Sequence, residues 1–293
     1  MKAIAYSQYG SPDVLRLEDI EKPTAGDDGV LVRVRAAAVN PFDWHLMRGM
    51  PYFLRMMAGL RRPKDTRLGV DVAGEVVAAG KNVTSFTAGD EVFGACRGAL
   101  AEYARIPGSA LVAKPGSVTF EQAAAAPVAA LTALQGLRDE GQIQSGQRVL
   151  INGAAGGVGT FAVQIAKSFG ADVTGVCSTR NVEMVRSIGA DRVVDYTRED
   201  FTASGQLYDL ILDAVGNHSL SACRRALKPT GRYVAVGGQS SRWMFGFLAR
   251  VIAAPVLSRF VSQRLSSVMT RPSQEDLATV RDLMAAGRVD TGH

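Results

Sequence analysis

The chain has 293 residues, 47% hydrophobic and 21% charged, with a formal net charge of +5. This is an ordinary balance for a globular protein, with length enough for two cores. No apolar run reaches the span of a bilayer, since the closest, Val251 to Leu257, is short and contains Pro255. The three cysteines, Cys96, Cys177 and Cys223, stand far apart without a Cys-x-x-Cys pair, so the sequence suggests neither a disulfide framework nor a structural zinc.

The N-terminal "MKAIAYSQYG" lacks the uninterrupted apolar segment of a signal peptide and reads as a strand, which makes the cytoplasm the expected location. "VLVRVRAAAV", "GVDVAGEVVAAG" and "DEVFGACRGALAEYARI" follow as strand-like stretches punctuated by Gly and Pro, the texture of a barrel-like β-rich unit. The densest basic stretch, Gly59–Arg67, reads as a solvated loop. Elsewhere Lys and Arg are scattered, which argues against nucleic acid as a partner. From Ser117 the texture turns helical in "SVTFEQAAAAPVAALTALQGLRDEG", and the domain boundary is expected at 122/123.

Beyond Gly146 strands and helices alternate. An apolar strand at Arg148–Asn152 precedes a glycine-rich turn and a helix, then "DVTGVCS", a helix at "VEMVRSIGA", "RVVDY", "YDLILDAVG", a helix near "LSACRRALK" and "RYVAVGG". Continuous apolar strands alternating with helices predict a parallel sheet covered on both faces. Ser240–Val268 is apolar and basic, the texture of a lid, a membrane-touching surface, or a helix plus a final sheet-edge strand used for dimerisation, and the last is the preferred reading. "SQEDLATVRDLMAAG" has an N-cap serine, acids in its first turn and a terminal Gly287, which predict a last helix.

The glycine-rich turn carries the chemistry. In the helix starting near Gly157, Val158, Phe161, Ala162, Ile165 and Phe169 share one face at helical spacing. The loop residues Gly153, Ala154, Ala155, Gly156, Gly157, Val158 and Gly159 lie at its N-terminus, where unpaired N–H groups and the helix dipole stabilise an anion. Gly156 lets a ligand reach the main chain and Gly159 lets helix and strand pack closely, while Ala154 replaces the first glycine of G-x-G-x-x-G. After an apolar strand and before an amphipathic helix, the pattern predicts a dinucleotide pyrophosphate site. The second strand ends in "VCSTRN", with no acid until Glu183. Ser178 and Thr179 offer hydroxyls, and Arg180 offers a guanidinium suited to a 2′-phosphate, so NADPH is the expected cofactor.

With "AAGGVGTFAVQIAK", "VNPFDW", "GVDVAGEVVAAG", "AGDEVFG" and "GADRVVDY" in this order, the chain resembles the medium-chain dehydrogenase/reductase superfamily and, within it, the zinc-free quinone oxidoreductase branch. The resemblance implies an α/β fold: a GroES-like β-rich catalytic domain (1–122) plus a Rossmann doubly wound parallel sheet domain (123–268). It also implies NADPH in the cleft between the domains and a homodimer joined through the Rossmann sheet edge. Residues 269–293 form a C-terminal helix after which relatives continue with a segment that closes the catalytic domain. Here that segment is expected to be truncated, which leaves an NADPH-binding protein without turnover as the alternative reading.

The resemblance further implies that the zinc ligands of related alcohol dehydrogenases fall at Asn40, Val70 and near Val128, which cannot build a tetrahedral zinc site. No metal is therefore expected. Hydride then goes to a small hydrophobic electrophile, a quinone or an α,β-unsaturated carbonyl, with orientation supplying most of the catalysis. Asn40 is implied near the nicotinamide, Thr132 at the cofactor and Tyr196 near the adenine phosphate. Val215, Gly216, Gly237 and Gly238 are implied in the loops after the fourth and fifth strands. His45 matches a proton-relay histidine. Asp43 is expected to brace its loop, Tyr52 is a second proton donor to consider, and "GMPYFLRMMAGL" is expected to line an apolar pocket mouth.

Overall fold

The structure is a computed structural model that describes residues 1–52, 54–236 and 261–291. Gly237 and Gly238, and with them the expected helix between 240 and 260, lie outside the described residues. The chain forms two compact units, Met1–Val128 with Pro272–Ala286 and Ala129–Arg271 with Gly287–His293. The division thus follows Val128, against the expected 122/123, and the last helix joins the first unit.

In the first unit, β1 (Lys2–Ala5) pairs antiparallel with β2 (Arg16–Asp19). A five-stranded antiparallel sheet contains β3 (Gly29–Ala38), then, after helices α1 (Pro41–Arg48) and α2 (Leu54–Ala58), β4 (Asp71–Ala79), β5 (Glu91–Ala95), β6 (Tyr103–Pro107) and β7 (Leu111–Ala113). Its spatial order is β6-β3-β4-β5-β7. Alternating valines supply the core: Val30, Val32, Val72, Val76 and Val92 pack with Ile106 and Leu111. Register shifts in the β3–β4 pair, at Leu31/Val32 and Val34/Ala36, let the long strands curl. α3 (Phe120–Ala124) opens on a capping box in which Thr119 Oγ1 accepts from Gln122 N–H and Gln122 Oε1 accepts from Thr119 N–H. α4 (Pro127–Gln135) carries the chain from one unit into the other.

The second unit alternates β8 (Arg148–Asn152), α5 (Gly157–Ser168), β9 (Asp172–Cys177), α6 (Val182–Ser187), β10 (Arg192–Asp195), β11 (Tyr208–Asp213), α7 (Leu220–Arg225) and β12 (Leu227–Ala235), with β13 (Arg264–Ser267) as its last strand. All six strands are parallel and lie in the order β10-β9-β8-β11-β12-β13. Counted from β8, this is the 3-2-1-4-5-6 order of a doubly wound sheet, with the direction of winding changing between β8 and β11. Val149, Leu150 and Ile151, and Leu210, Ile211 and Leu212, have no exposed surface. Strands covered on both faces require such runs rather than alternation.

The expected single apolar face of α5 is an underestimate. Val163, Gln164 and Ala166 are buried as well, and Gln164 is covered by residues following α8 (Gln274–Ala285). Gln164 Nε2 donates to Asp290 O at 2.9 Å, its Oε1 accepts from Asp290 N–H at 2.7 Å, and Val289 is buried. α8 itself starts as predicted: Ser273 Oγ accepts from Asp276 N–H, and Gln274 Nε2 donates to the carbonyls of Gly108 and Leu111 in the first unit.

Candidate functional site

At the C-terminal end of β8 the chain turns through Gly153, whose φ of +87° is a conformation that favours glycine. Its N–H donates to Val176 O, as does that of Ala154. Ala154 is fully buried, and its extra methyl is accommodated by Gly175 on β9, where a Cβ would stand 3.0 Å from the Ala154 Cβ. The departure from G-x-G-x-x-G is thus matched by a glycine on the neighbouring strand. Gly159 is required by its surroundings, since a Cβ there would lie 2.0 Å from Gly153 O and 2.8 Å from Ala154 Cα.

Gly156 and Gly157 differ. Both are exposed at the head of α5, and a Cβ would meet nothing closer than Gly153 O at 3.4 Å and Ala129 Cβ at 4.0 Å, respectively. Nothing among the described residues of this unit calls for a missing side chain at either position. What their absence leaves is bare main chain at a helix N-terminus, open for an anionic ligand to approach. Ala155 and Val158 are half-buried around it.

The loop after β11 joins this cradle. A Cβ on Gly153 would meet Val215 Cγ2 at 2.7 Å, so the two loops touch where the winding reverses. Asp213 holds the second loop. Its Oδ1 accepts from Asn152 Nδ2 at 2.8 Å, Val215 N–H at 3.1 Å and Gly216 N–H at 2.8 Å, and its Oδ2 accepts from Tyr233 Oη at 2.6 Å. Asn152 Nδ2 also donates to Asn217 Oδ1. Sequence reasoning placed Val215 and Gly216 at the ligand and missed the Asp213–Asn152–Tyr233 cluster that shapes them. An acid directly after the apolar run Leu210–Leu212 was the available signal.

A second group forms at the ends of β9 and β10. Cys177 pairs with Asp195 in the sheet, and Tyr196 N–H donates to Cys177 O, which brings Ser178, Thr179, Arg180 and Tyr196 together. Arg180 and Tyr196 are exposed, and no hydrogen bond or ion pair engages Arg180 among the described residues. Two expectations change here. The region is not free of acid in space, because pairing of β10 with β9 delivers Asp195. Nor is the Thr179 hydroxyl free, since it donates to Asp195 Oδ2. That bond, with those from Thr197, holds the Asp195 carboxyl below its usual range. Of the residues expected at the ligand, Ser178, Arg180 and Tyr196 remain as candidates.

Thr132, on α4, is buried and shares a hydrogen bond of 2.7 Å with Thr270, while Gln135 one turn on binds the Arg271 main chain in both directions. These bonds fasten α4 to the segment that follows β13.

In the first unit, Asn40 precedes α1. Its main-chain N–H donates to Asp43 Oδ2 at 2.8 Å, and Asp43 Oδ1 accepts from Gly69 N–H at 3.0 Å. Asp43 therefore braces the loop, with burial raising its carboxyl pKa. Asn40 Nδ2 donates to Asp71 Oδ2 at 3.0 Å, and Val128 N–H lies 3.1 and 3.3 Å from the two Asp71 oxygens. Asp71, missed in the sequence, is wholly buried, and burial pushes its carboxyl up to about 7. His45 is half-buried, with Nδ1 2.8 Å from Met50 O and its ring edge-on to Trp44. As the Nδ1–H tautomer it presents Nε2 as an acceptor. Tyr52, Met56 and Met57 are exposed. Cys96 is a neutral thiol, pushed up to about 12 by burial.

A family model described as an alcohol dehydrogenase GroES-like domain matches residues 26–116, and one described as a zinc-binding dehydrogenase matches residues 188–292. The chain is 39% identical to the chloroplastic quinone-oxidoreductase homolog of Spinacia oleracea, over 80% of its own length and 74% of that protein's. It is 38% identical to the chloroplastic NADPH-dependent alkenal/one oxidoreductase of Arabidopsis thaliana, over 81% of its own length and 63% of that protein's. The chain thus spans less than two thirds of the length of some curated relatives it matches. Among solved structures, the quinone oxidoreductase from Coxiella burnetii superposes with a TM-score of 0.83 at 31% identity, covering 98% of this chain and 88% of that one.

Proposed function

We propose, for a chain that belongs to the medium-chain dehydrogenase/reductase superfamily and to its quinone oxidoreductase-like branch, that it is an NADPH-dependent, zinc-independent oxidoreductase acting on quinones or α,β-unsaturated carbonyls. The observation that carries this reading is the open main chain at Gly156 and Gly157, at the point where a doubly wound sheet reverses its winding. The N–H groups there and the dipole of α5 would hold the pyrophosphate, with Val215 and Gly216 beside it. Arg180, with Ser178 and Tyr196, would hold the 2′-phosphate. An unengaged guanidinium next to a carboxylate already satisfied by two threonines favours a phosphorylated ribose.

A zinc site does not fit the residues present. Asn40, Val70 and Val128 supply neither thiolate nor imidazole, and the carboxylates beside them are engaged, Asp71 by Asn40 and the Val128 main chain and Asp43 by the Asn40 and Gly69 N–H groups. When bound, NADPH would supply a hydride to the carbon conjugated with a carbonyl, with the electron pair displaced onto the remote oxygen and a proton taken from solvent. The protein's part is orientation and hydrogen bonding, with Asn40 at the reactants. β13 ends the parallel sheet and is the edge through which we expect two copies to join.

Mixing the purified chain with NADPH and a panel of quinones, alkenals and enones tests this reading. Loss of reduced-nicotinamide absorbance with at least one member is the expected result. No oxidation with any member would sink it.

A further inference from the structure

Asp71 stands at the head of β4 with no exposed surface, and no ion pair balances it among the described residues. Its partners are the Asn40 side chain and the Val128 main chain. A carboxylate offers only acceptors, so an ionised Asp71 takes Nδ2 of the Asn40 amide and leaves Oδ1 toward the start of α1, where the Asn40 side chain faces the Asp43 N–H. The rest of the cluster is already fixed. Asp43 holds the Asn40 main-chain N–H with one oxygen and Gly69 N–H with the other, which ties the start of α1 to the residues leading into β4. The Asn40 amide completes the cluster, its Nδ2 held by Asp71 and its oxygen facing the Asp43 N–H.

We propose that Asp71 is a positioning residue whose carboxylate holds one orientation of the Asn40 amide, so that Asn40 meets its ligand with its second Nδ2 hydrogen. This rests on Asn40 contacting the reactants, as in the function proposed above. Asparagine at position 71 keeps the shape but replaces one acceptor oxygen with an N–H group. That group must face either the Val128 N–H, with loss of its hold, or Asn40 Nδ2, which turns the amide over.

The test is a cycle of Asp71→Asn, Asn40→Ala and the double variant at pH 8, where Asp71 is ionised. D71N lowers kcat/KM about tenfold, the scale of one hydrogen bond to a charged group, chiefly through kcat. In the N40A background the same change costs less than about twofold. Equal losses in both backgrounds would overturn the assignment, because a merely structural carboxylate costs the same with or without Asn40.

A second readout needs no turnover and no variant at position 71. In the wild-type protein, the two side-chain amide hydrogens of Asn40, identified by their loss in N40A, exchange with solvent at different rates because one is held by Asp71. Equal rates would also overturn the assignment. Absence of NADPH oxidation by the wild-type protein would sink the proposed function, and the exchange rates would still decide the role of Asp71.

Discussion

Two glycines three residues apart should respond in opposite ways to a side chain. At Gly156 the backbone has φ −88° and ψ 168°, a conformation open to any residue, and a Cβ meets nothing closer than 3.4 Å. Gly156→Val should therefore leave folding stability within about 0.5 kcal/mol of wild type, as expected of an exposed site without special contacts. The same side chain would stand where a pyrophosphate approaches the helix N-terminus. Losing two main-chain hydrogen bonds to a charged ligand, at about 1.5–3 kcal/mol each, weakens NADPH by about 3 kcal/mol or more, at least about 100-fold.

At Gly159 a Cβ would overlap Gly153 O at 2.0 Å. Gly159→Ala forces the loop to move, costs about 1–3 kcal/mol of stability and lowers the unfolding temperature. Calorimetric titration with NADPH and thermal unfolding, run on both variants, separate these effects. Early unfolding of G156V, or NADPH binding by it as tight as that of wild type, would refute this assignment of Gly156.

Other outcomes follow from the same geometry. Arg180→Ala breaks no hydrogen bond or ion pair among the described residues, so it should leave stability and NADH affinity unchanged and weaken NADPH about tenfold, the lower end for a charge-assisted bond at an exposed site; equal effects on the two cofactors would refute the 2′-phosphate assignment. Asp71, raised to about 7 from an ordinary 3.8, keeps its proton in the folded state at pH values where the unfolded chain has lost it. Wild-type stability relative to D71N should therefore fall as pH rises through that window, by roughly 2 kcal/mol between pH 5 and 7, and level off above it. Parallel pH profiles of thermal unfolding for the two proteins would contradict this. Asp213→Ala leaves Asn152 and Tyr233 without their shared acceptor and frees the 214–217 loop, so it should lower the unfolding temperature and weaken NADPH together; a loss of stability with unchanged affinity would detach that loop from the site. Light scattering should give twice the chain mass, and a monomer would remove β13 as a dimer seam.

Much of the second unit was legible because its signals are local. Continuous apolar strands mark a sheet covered on both faces, and the glycine turn between β8 and α5 has few other uses in that context. What escaped is what depends on pairing across long separations. Asp195 lies far along the chain from Thr179 and reaches it only because β10 lies beside β9. Asp71 looked like an acid at a strand start, and its meaning appears only when Asn40 and Val128 arrive from other elements. The burial of Gln164 on α5 has the same origin, since this residue reads as solvent-facing until Asp290 crosses it. α1 and the short β2 carry weaker periodic signals and were not anticipated as elements.

The central claim is that exposed main chain at the head of α5 binds a nicotinamide nucleotide. Following the backbone amide signals of residues 153–159 while NADPH is titrated into the wild-type protein tests it most directly. Saturable shifts concentrated at Gly156, Gly157 and Val158 are predicted. Absence of binding, or binding that leaves those amides unmoved, would contradict it.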